Sequence, residues 1–252
     1  MASKAEVIPW ACPVPVFGNI DDSRVATLGL NPSNREFVDI TGRELSGSDR
    51  RFHTLTSLNI ETWDQAKASD IRKISKACQE YFSNNPYDAW FRELDSLINS
   101  LHASYYGNSA IDACHLDLIP YATYRKWTDL RESQRKLLLN ASDEGFGRIL
   151  KESKISLLIL NGISVVRYFE SVSDTKFKCK EMREWGLPRK NAECVPGISY
   201  MGYVTRIGKT NLERRIFVIG FNHNIQSSFG VTKHVKSEIR KWIGGMGGKA
   251  GL

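Results

Sequence analysis

The chain has 252 residues, a formal net charge of +7 at pH 7 and an isoelectric point near 9.1. Hydrophobic residues make up 41% and charged residues 25%, a globular composition that argues against a mainly disordered chain. Mean hydropathy is −0.34, and no apolar run approaches the roughly 18 residues of a membrane span.

The first residues, Met1 to Glu6, place no apolar stretch behind a basic patch, so a secretory leader is not expected and a soluble cytoplasmic protein is. The first apolar run is Val25 to Leu30. Asp64 to Phe82 follows as a helix, with Ala66, Ile71, Ile74, Cys78 and Phe82 at near-helical spacing. Asn85-Pro86 breaks the chain, and Tyr87 to His102 is a second helix with Trp90, Phe91, Leu94, Leu97, Ile98 and Leu101 on its apolar side. His115 to Pro120 is the second run. Leu130 to Lys151 holds at least one helix, Ile155 to Leu160 is the third run, and Ser164 to Ser171 is a short helix. Val172 to Arg215 carries ten basic residues, Lys190 among them, against five acidic ones. It is read as a basic insertion, equally a solvated loop or a nucleic-acid clamp. Ile216 to Phe221 is the fourth run and Val231 to Ile243 the last helix. Residues 1–243 thus form one domain, followed by a Gly-rich tail, 244–252, expected to be flexible. Four short apolar runs separated by helices predict strands buried on both faces of a parallel sheet with helical crossovers.

The five cysteines, Cys12, Cys78, Cys114, Cys179 and Cys194, are scattered and contain no Cys-x-x-Cys. They are expected to be reduced thiols, neither a disulfide framework nor a zinc site. The basic excess points to a polyanionic partner, nucleic acid first.

In open α/β sheets ligands bind beyond the carboxyl ends of the strands. Asn31-Pro32-Ser33-Asn34 follows the first run. Asp117, Pro120 and Tyr121 lie in or after the second. Asn161-Gly162 follows the third and Asn222-His223-Asn224 the fourth. Each alone has a bland reading, since Asn-Pro-Ser is a common turn and a lone histidine is usually structural.

Together these segments resemble the uracil-DNA glycosylase superfamily. Gly29-Leu30-Asn31-Pro32-Ser33 is similar to the first motif of its mismatch-specific and thymine-DNA glycosylase branch, Gly-x-Asn-Pro-Gly. Arg51-Phe52 with Leu55 resembles the segment trailing that motif, and Leu158 to Gly162 the third strand and its turn. Asn222-His223-Asn224-Ile225-Gln226-Ser227 sits where the family carries Asn/His-Pro-Ser-x-x-Ser. Ser33 replaces a glycine. His223 either stands in the proline position or itself heads the second motif. The iron–sulfur branches of the family need four cysteines; here the N-terminal pair is absent and Cys179 and Cys194 lie in the wrong segment, so no cluster, metal or other cofactor is expected.

The resemblance implies a three-layer α/β/α fold around a central four-stranded parallel sheet, acting on DNA as a monomer. It implies hydrolysis of the N-glycosidic bond of a flipped base through an oxocarbenium-like sugar. Asn31 is expected to orient water, although an amide is a very poor base. His223 is expected to donate to the departing base, and Asn222 to hold a phosphate or the base. Ile225 or Gln226 fills the gap left by the flipped nucleotide. Ser33, Ser227, Ser228 and Lys233 are expected at the DNA, with Ser228 equally a helix cap. Asp117 falls where relatives read the base edge. An ionised Asp only accepts, which suits the exocyclic amine of a cytosine-type base; a structural role at the Pro120 turn is the alternative. Phe37, rather than Phe52, is expected to stack on the base. Tyr121, Tyr124, Trp127 and the Tyr105-Tyr106 pair are candidates for a sugar-binding surface. The pattern is similar to a phage-defence glycosylase of this superfamily, implying glucosylated hydroxymethylcytosine in phage DNA as substrate. A uracil or mismatch repair glycosylase and a non-catalytic nucleic-acid binder are the alternatives.

Overall fold

The computed structural model describes residues 4–107, 109–141, 143–189 and 192–252. Lys190 and the first three residues of the N-terminal stretch lie outside them. Among the described residues, eight strands form one mixed sheet: β1 (Val16–Phe17), β2 (Val25–Gly29), β3 (Ala103–Ser104), β4 (Ile111–Asp117), β5 (Leu157–Asn161), β6 (Lys178–Arg189), β7 (Ala192–Ile207) and β8 (Thr210–Phe221). Their order is β1-β4-β2-β5-β8-β7-β6, with β3 also paired to β4.

The four apolar runs form neighbouring parallel strands, β4-β2-β5-β8. The expected four-stranded parallel sheet is nevertheless incomplete. Short β1 adds antiparallel to β4, and β7 and β6 add antiparallel beyond β8. Much of the basic 172–215 segment is therefore sheet. Its exposed positions, Lys178, Lys180 and Arg183, carry the charge, while Trp185, Leu187 and Val204 turn inward. Strand pairing satisfies the backbone that a charged loop would have left to water.

The helices are α1 (Leu55–Leu58), α2 (Ala68–Gln79), α3 (Asp88–Ile98), α4 (Glu132–Asn140), α5 (Asp143–Glu152), α6 (Ile163–Ser173) and α7 (Lys233–Gly244). Side chains alternate across a strand, so β5 splits its residues between two cores. Leu157 and Ile159 pack with Phe217 and Ile219 under α3 and α7. Leu158 and Leu160 pack with Ala26, Leu28 and Val218 under α5 and α6. Helices thus cover both faces. The helix expected from Asp64 begins only at Ala68, because the Asp70 carboxylate accepts from the Lys67 N–H and caps it there. Helix α7 is capped by Thr232, whose Oγ1 accepts from Val235 N at 3.2 Å, and not by Ser228. The Gly-rich segment beyond it contains a 3-10 turn, Gly247–Ala250; Met246, Ala250 and Leu252 pack on the core, and Arg24 donates to Gly251 O.

Cys12, Cys78 and Cys114 are buried free thiols and Cys179 and Cys194 exposed ones. Among the described residues, no helix is long and apolar enough to cross a membrane, and no three His, Cys, Asp or Glu side chains gather to hold a metal ion.

Candidate active site

Beyond the carboxyl ends of β2, β4, β5 and β8 lies a cleft of about 1190 Å³. Its floor is made where β4 meets β2. His115 and Asp117 are two residues apart and so project from the same face of β4, and Asp117 pairs in register with Gly29. A Cβ on Gly29 would lie 2.4 Å from Asp117 Oδ1 and 2.9 Å from His115 Nε2, so both polar atoms close over the glycine. Burial pushes the Asp117 carboxyl above its ordinary range, and His115, 3.5 Å away, pulls it partly back.

Asn31 lines the same cleft. Its Nδ2 donates to Thr123 Oγ1 at 3.1 Å, Tyr121 O at 3.2 Å and Pro32 O at 3.3 Å. Carbonyl partners identify that atom as the nitrogen, which makes Oδ1 the acceptor of the amide. Ser33 Oγ accepts from Arg35 N and starts the 3-10 turn Asn34–Glu36, which turns Glu36 into the cleft wall. Glu36 is 2% exposed and takes the Tyr81 hydroxyl at 2.9 and 3.0 Å, with Arg51 Nε at 3.9 Å. Burial pushes Glu36 up to about 8, against the pull of Tyr81 and Arg51.

The opposite wall is sewn together by Asn161 at the end of β5. Its Nδ2 donates to Gln226 Oε1 at 2.6 Å, and its Oδ1 accepts from Ile225 N at 3.1 Å. Asn224 Oδ1 accepts from the backbone of Gln226 and Ser227, and Asn224 packs so closely on Gly162, at φ +101°, that a side chain there would collide. Arg35, Arg125, Lys126 and Lys236 add positive charge to the lining, with Lys236 on Glu93.

Asn31, Ser33, Asp117, Asn222, Ile225, Gln226, Ser227 and Ser228 thus gather around one cleft. Several expected roles change. His223 is 3% exposed and its Nε2 donates to Trp185 O at 2.8 Å, turned into the sheet edge; the histidine that faces the cleft among the described residues is His115. Both ends of the Asn222 amide are engaged by β7, with Ile198 N on Oδ1 and Pro196 O on Nδ2, each at 2.8 Å. Phe37 is 1% exposed and packs edge-on to Trp10 and tilted against Phe52, so it has no face for a base. Tyr121 lines a separate cavity of about 210 Å³ behind Asp117 and reaches Asn31 only through its backbone oxygen. Lys233 opens α7 outside the lining residues. Trp127 lines the cleft and Tyr124 is exposed beside it, whereas Tyr105 is core and the Tyr106 hydroxyl is held by Asp88.

Ile225 is buried and Gln226 is tied to Asn161 and to Trp90 O, so neither is free to enter DNA. The exposed apolar side chain of this loop is Phe229, 83% exposed, with the Arg189 guanidinium 5.4 Å over its ring and Arg189 Nη1 on its backbone oxygen at 3.0 Å. Glu36, His115 and Phe229 are the residues that sequence reasoning passed over. A histidine two positions before Asp117 in one strand was the signal for His115; Glu36 lies in an aperiodic turn and had none.

Glu36 gives a test of this geometry. An ordinary carboxyl of 4.5 raised to about 8 keeps its proton in the folded protein after the unfolded chain has released it. Its contribution is complete below about pH 4.5 and is lost as pH rises toward 8. Glu36→Gln removes this loss, so between pH 5 and 8 the wild type is expected to lose roughly 2–4 kcal/mol more stability than the variant. Denaturant melts at the two pH values read it; parallel declines would contradict the buried placement.

No protein-family model matches the chain, and no curated protein matches it.

Proposed function

We propose that this protein is a DNA glycosylase of the uracil-DNA glycosylase type, hydrolysing the N-glycosidic bond of a base turned out of the stack and leaving an abasic site. The observation that carries the reading is the Asn31 amide, anchored by its nitrogen so that Oδ1 is left as its acceptor, in the same cleft that Asp117 and His115 line. In that reading Oδ1 accepts a hydrogen bond from the attacking water and aims it at the anomeric carbon. The amide takes no proton, so the barrier is lowered by orientation and by stabilising the departing base. The four central parallel strands and the polar rim at their carboxyl ends support the family's fold. Arg35, Arg125 and Lys126 supply charge for the phosphates. Phe229, braced by Arg189, takes the wedge role in the gap left by the flipped nucleotide.

Ionised Asp117 accepts from an exocyclic amine, which supports a cytosine-type base; in phage DNA this is glucosylated hydroxymethylcytosine, the modification sparing host cytosine. The raised Asp117 carboxyl favours a second reading, because a neutral acid pairs equally with the N3–H and O4 edge of uracil. The test is abasic-site formation on DNA containing glucosylated hydroxymethylcytosine, uracil or neither. Cutting at the first alone is expected; cutting at uracil alone supports repair, and no abasic sites in any DNA overturns the glycosylase reading. Asp117→Asn exchanges an acceptor for a mixed edge and is expected to lower excision of the cytosine-type base about 100-fold. Unchanged excision by the variant would give Asp117 a structural role.

A further inference from the structure

Strand β2 is apolar except at Thr27, which is buried on the face it shares with Val25. Packing alone gives no reason for a hydroxyl there. Its Oγ1 lies 2.5 Å from Tyr105 Oη and 2.7 Å from His115 Nδ1, and His115 Nε2 lies 3.5 Å from Asp117 Oδ1. Tyr105, Thr27, His115 and Asp117 therefore form one line from the core to the cleft floor.

The hydrogens along that line can be counted. The buried Tyr105 hydroxyl has one hydrogen, and Thr27 Oγ1 is its partner. If Tyr105 donates to Thr27, the Thr27 hydroxyl donates onward to His115 Nδ1, and the imidazole hydrogen sits on Nε2. The reverse direction strands the Tyr105 hydrogen without an acceptor in the core, which is unfavourable. At 3.5 Å the contact to Asp117 is long for a hydrogen bond, so the Nε2 hydrogen is still open to a ligand.

We propose that Thr27 and Tyr105 are positioning residues that hold His115 in its Nε2–H form, so that the cleft floor presents a fixed donor beside the Asp117 acceptor. Such a pair fits a base edge with an exocyclic amine next to a ring nitrogen or carbonyl. The substrate class rests on the glycosylase reading; the tautomer does not. As the glycosidic bond breaks, electrons move onto the ring, and a donor at the ring acceptor strengthens its hold on the departing base.

The test separates the two layers. In ¹⁵N-histidine-labelled protein at pH 7.5, with His115 assigned by its loss in His115→Gln, the wild type is expected to show a protonated Nε2 and a bare Nδ1. Thr27→Val keeps the shape, removes the hydroxyl and is expected to give a mixture of tautomers; Thr27→Ser is expected to restore the single form. Tyr105→Phe gives an independent second variant, also expected to mix. On DNA containing glucosylated hydroxymethylcytosine, Thr27→Val is expected to lower single-turnover excision 10- to 100-fold, with Thr27→Ser near wild type. A wild-type Nδ1–H, or a pure Nε2–H in both Thr27→Val and Tyr105→Phe, overturns the positioning role. A changed tautomer with unchanged excision overturns its part in recognition. If the wild type excises nothing, the spectra still decide the tautomer, and it is the glycosylase reading that has failed.

Discussion

Asn31→Ala is expected to reduce abasic-site formation roughly 10³-fold, the range set by losing an oriented water. The amide is fixed on one side only. Its nitrogen reaches Pro32 O, Tyr121 O and Thr123 Oγ1, which joins the turn after β2 to the segment after β4. Truncation removes the acceptor and this tie together, so folding must be measured alongside activity. Asn31 is only partly buried, and two of its three partners, Pro32 and Thr123, line the cleft, where water can replace its amide. The expected stability loss is therefore modest, about 1 kcal/mol. Single-turnover excision read with a denaturant melt decides the matter. A folded variant that still makes abasic sites at the wild-type rate would remove Asn31 from the mechanism.

Gly29→Ala is the second large effect. The glycine needs no unusual backbone; what it supplies is space. A methyl at that position meets Asp117 Oδ1 at 2.4 Å and His115 Nε2 at 2.9 Å, both inside van der Waals contact. Both side chains are short and buried, so relief comes only by displacing the two polar atoms of the floor. Excision is expected to fall at least about 100-fold, with a stability cost of about 1–3 kcal/mol. Gly145→Ala is the control: a Cβ there meets nothing within 4 Å, and alanine suits the helix interior. Wild-type activity in folded Gly29→Ala would show that the floor does not touch substrate.

Residues that faced one environment were legible before the structure. The parallel strands announce themselves through buried apolar runs, nearly unbroken at 25–30, 155–160 and 216–221 and mixed with His115 and Asp117 in β4. Strand β6 does not, because its first residues are charged and exposed at successive positions, and β7 does not, because Pro196, Gly197 and Gly202 break its apolar pattern. The cleft was legible as a rim, since loops after consecutive parallel strands must converge. Direction within the rim was not. His223 and His115 are both single histidines near strand ends, and only pairing with Trp185 O in one case and with Thr27 in the other separates them. Phe37 looked like a stacking residue because an aromatic beside a motif carries no sign of which way it points. The aromatic cluster of Trp10, Phe52 and Tyr81 settles that.

The register of β2 on β5 joins Val25 to Leu157, more than half the chain apart. Such a contact closes late, because chain entropy opposes it until distant segments meet. The β6–β7 hairpin is local and can form first, leaving a long strand edge waiting for β8. Lys178, Lys180 and Arg183 lie on β6, whose other edge stays open at the end of the sheet, and repel a second copy of that strand. The charge that first suggested a polyanionic partner thus also protects the chain during its own folding, keeping nascent molecules apart while the slow central pairing is made.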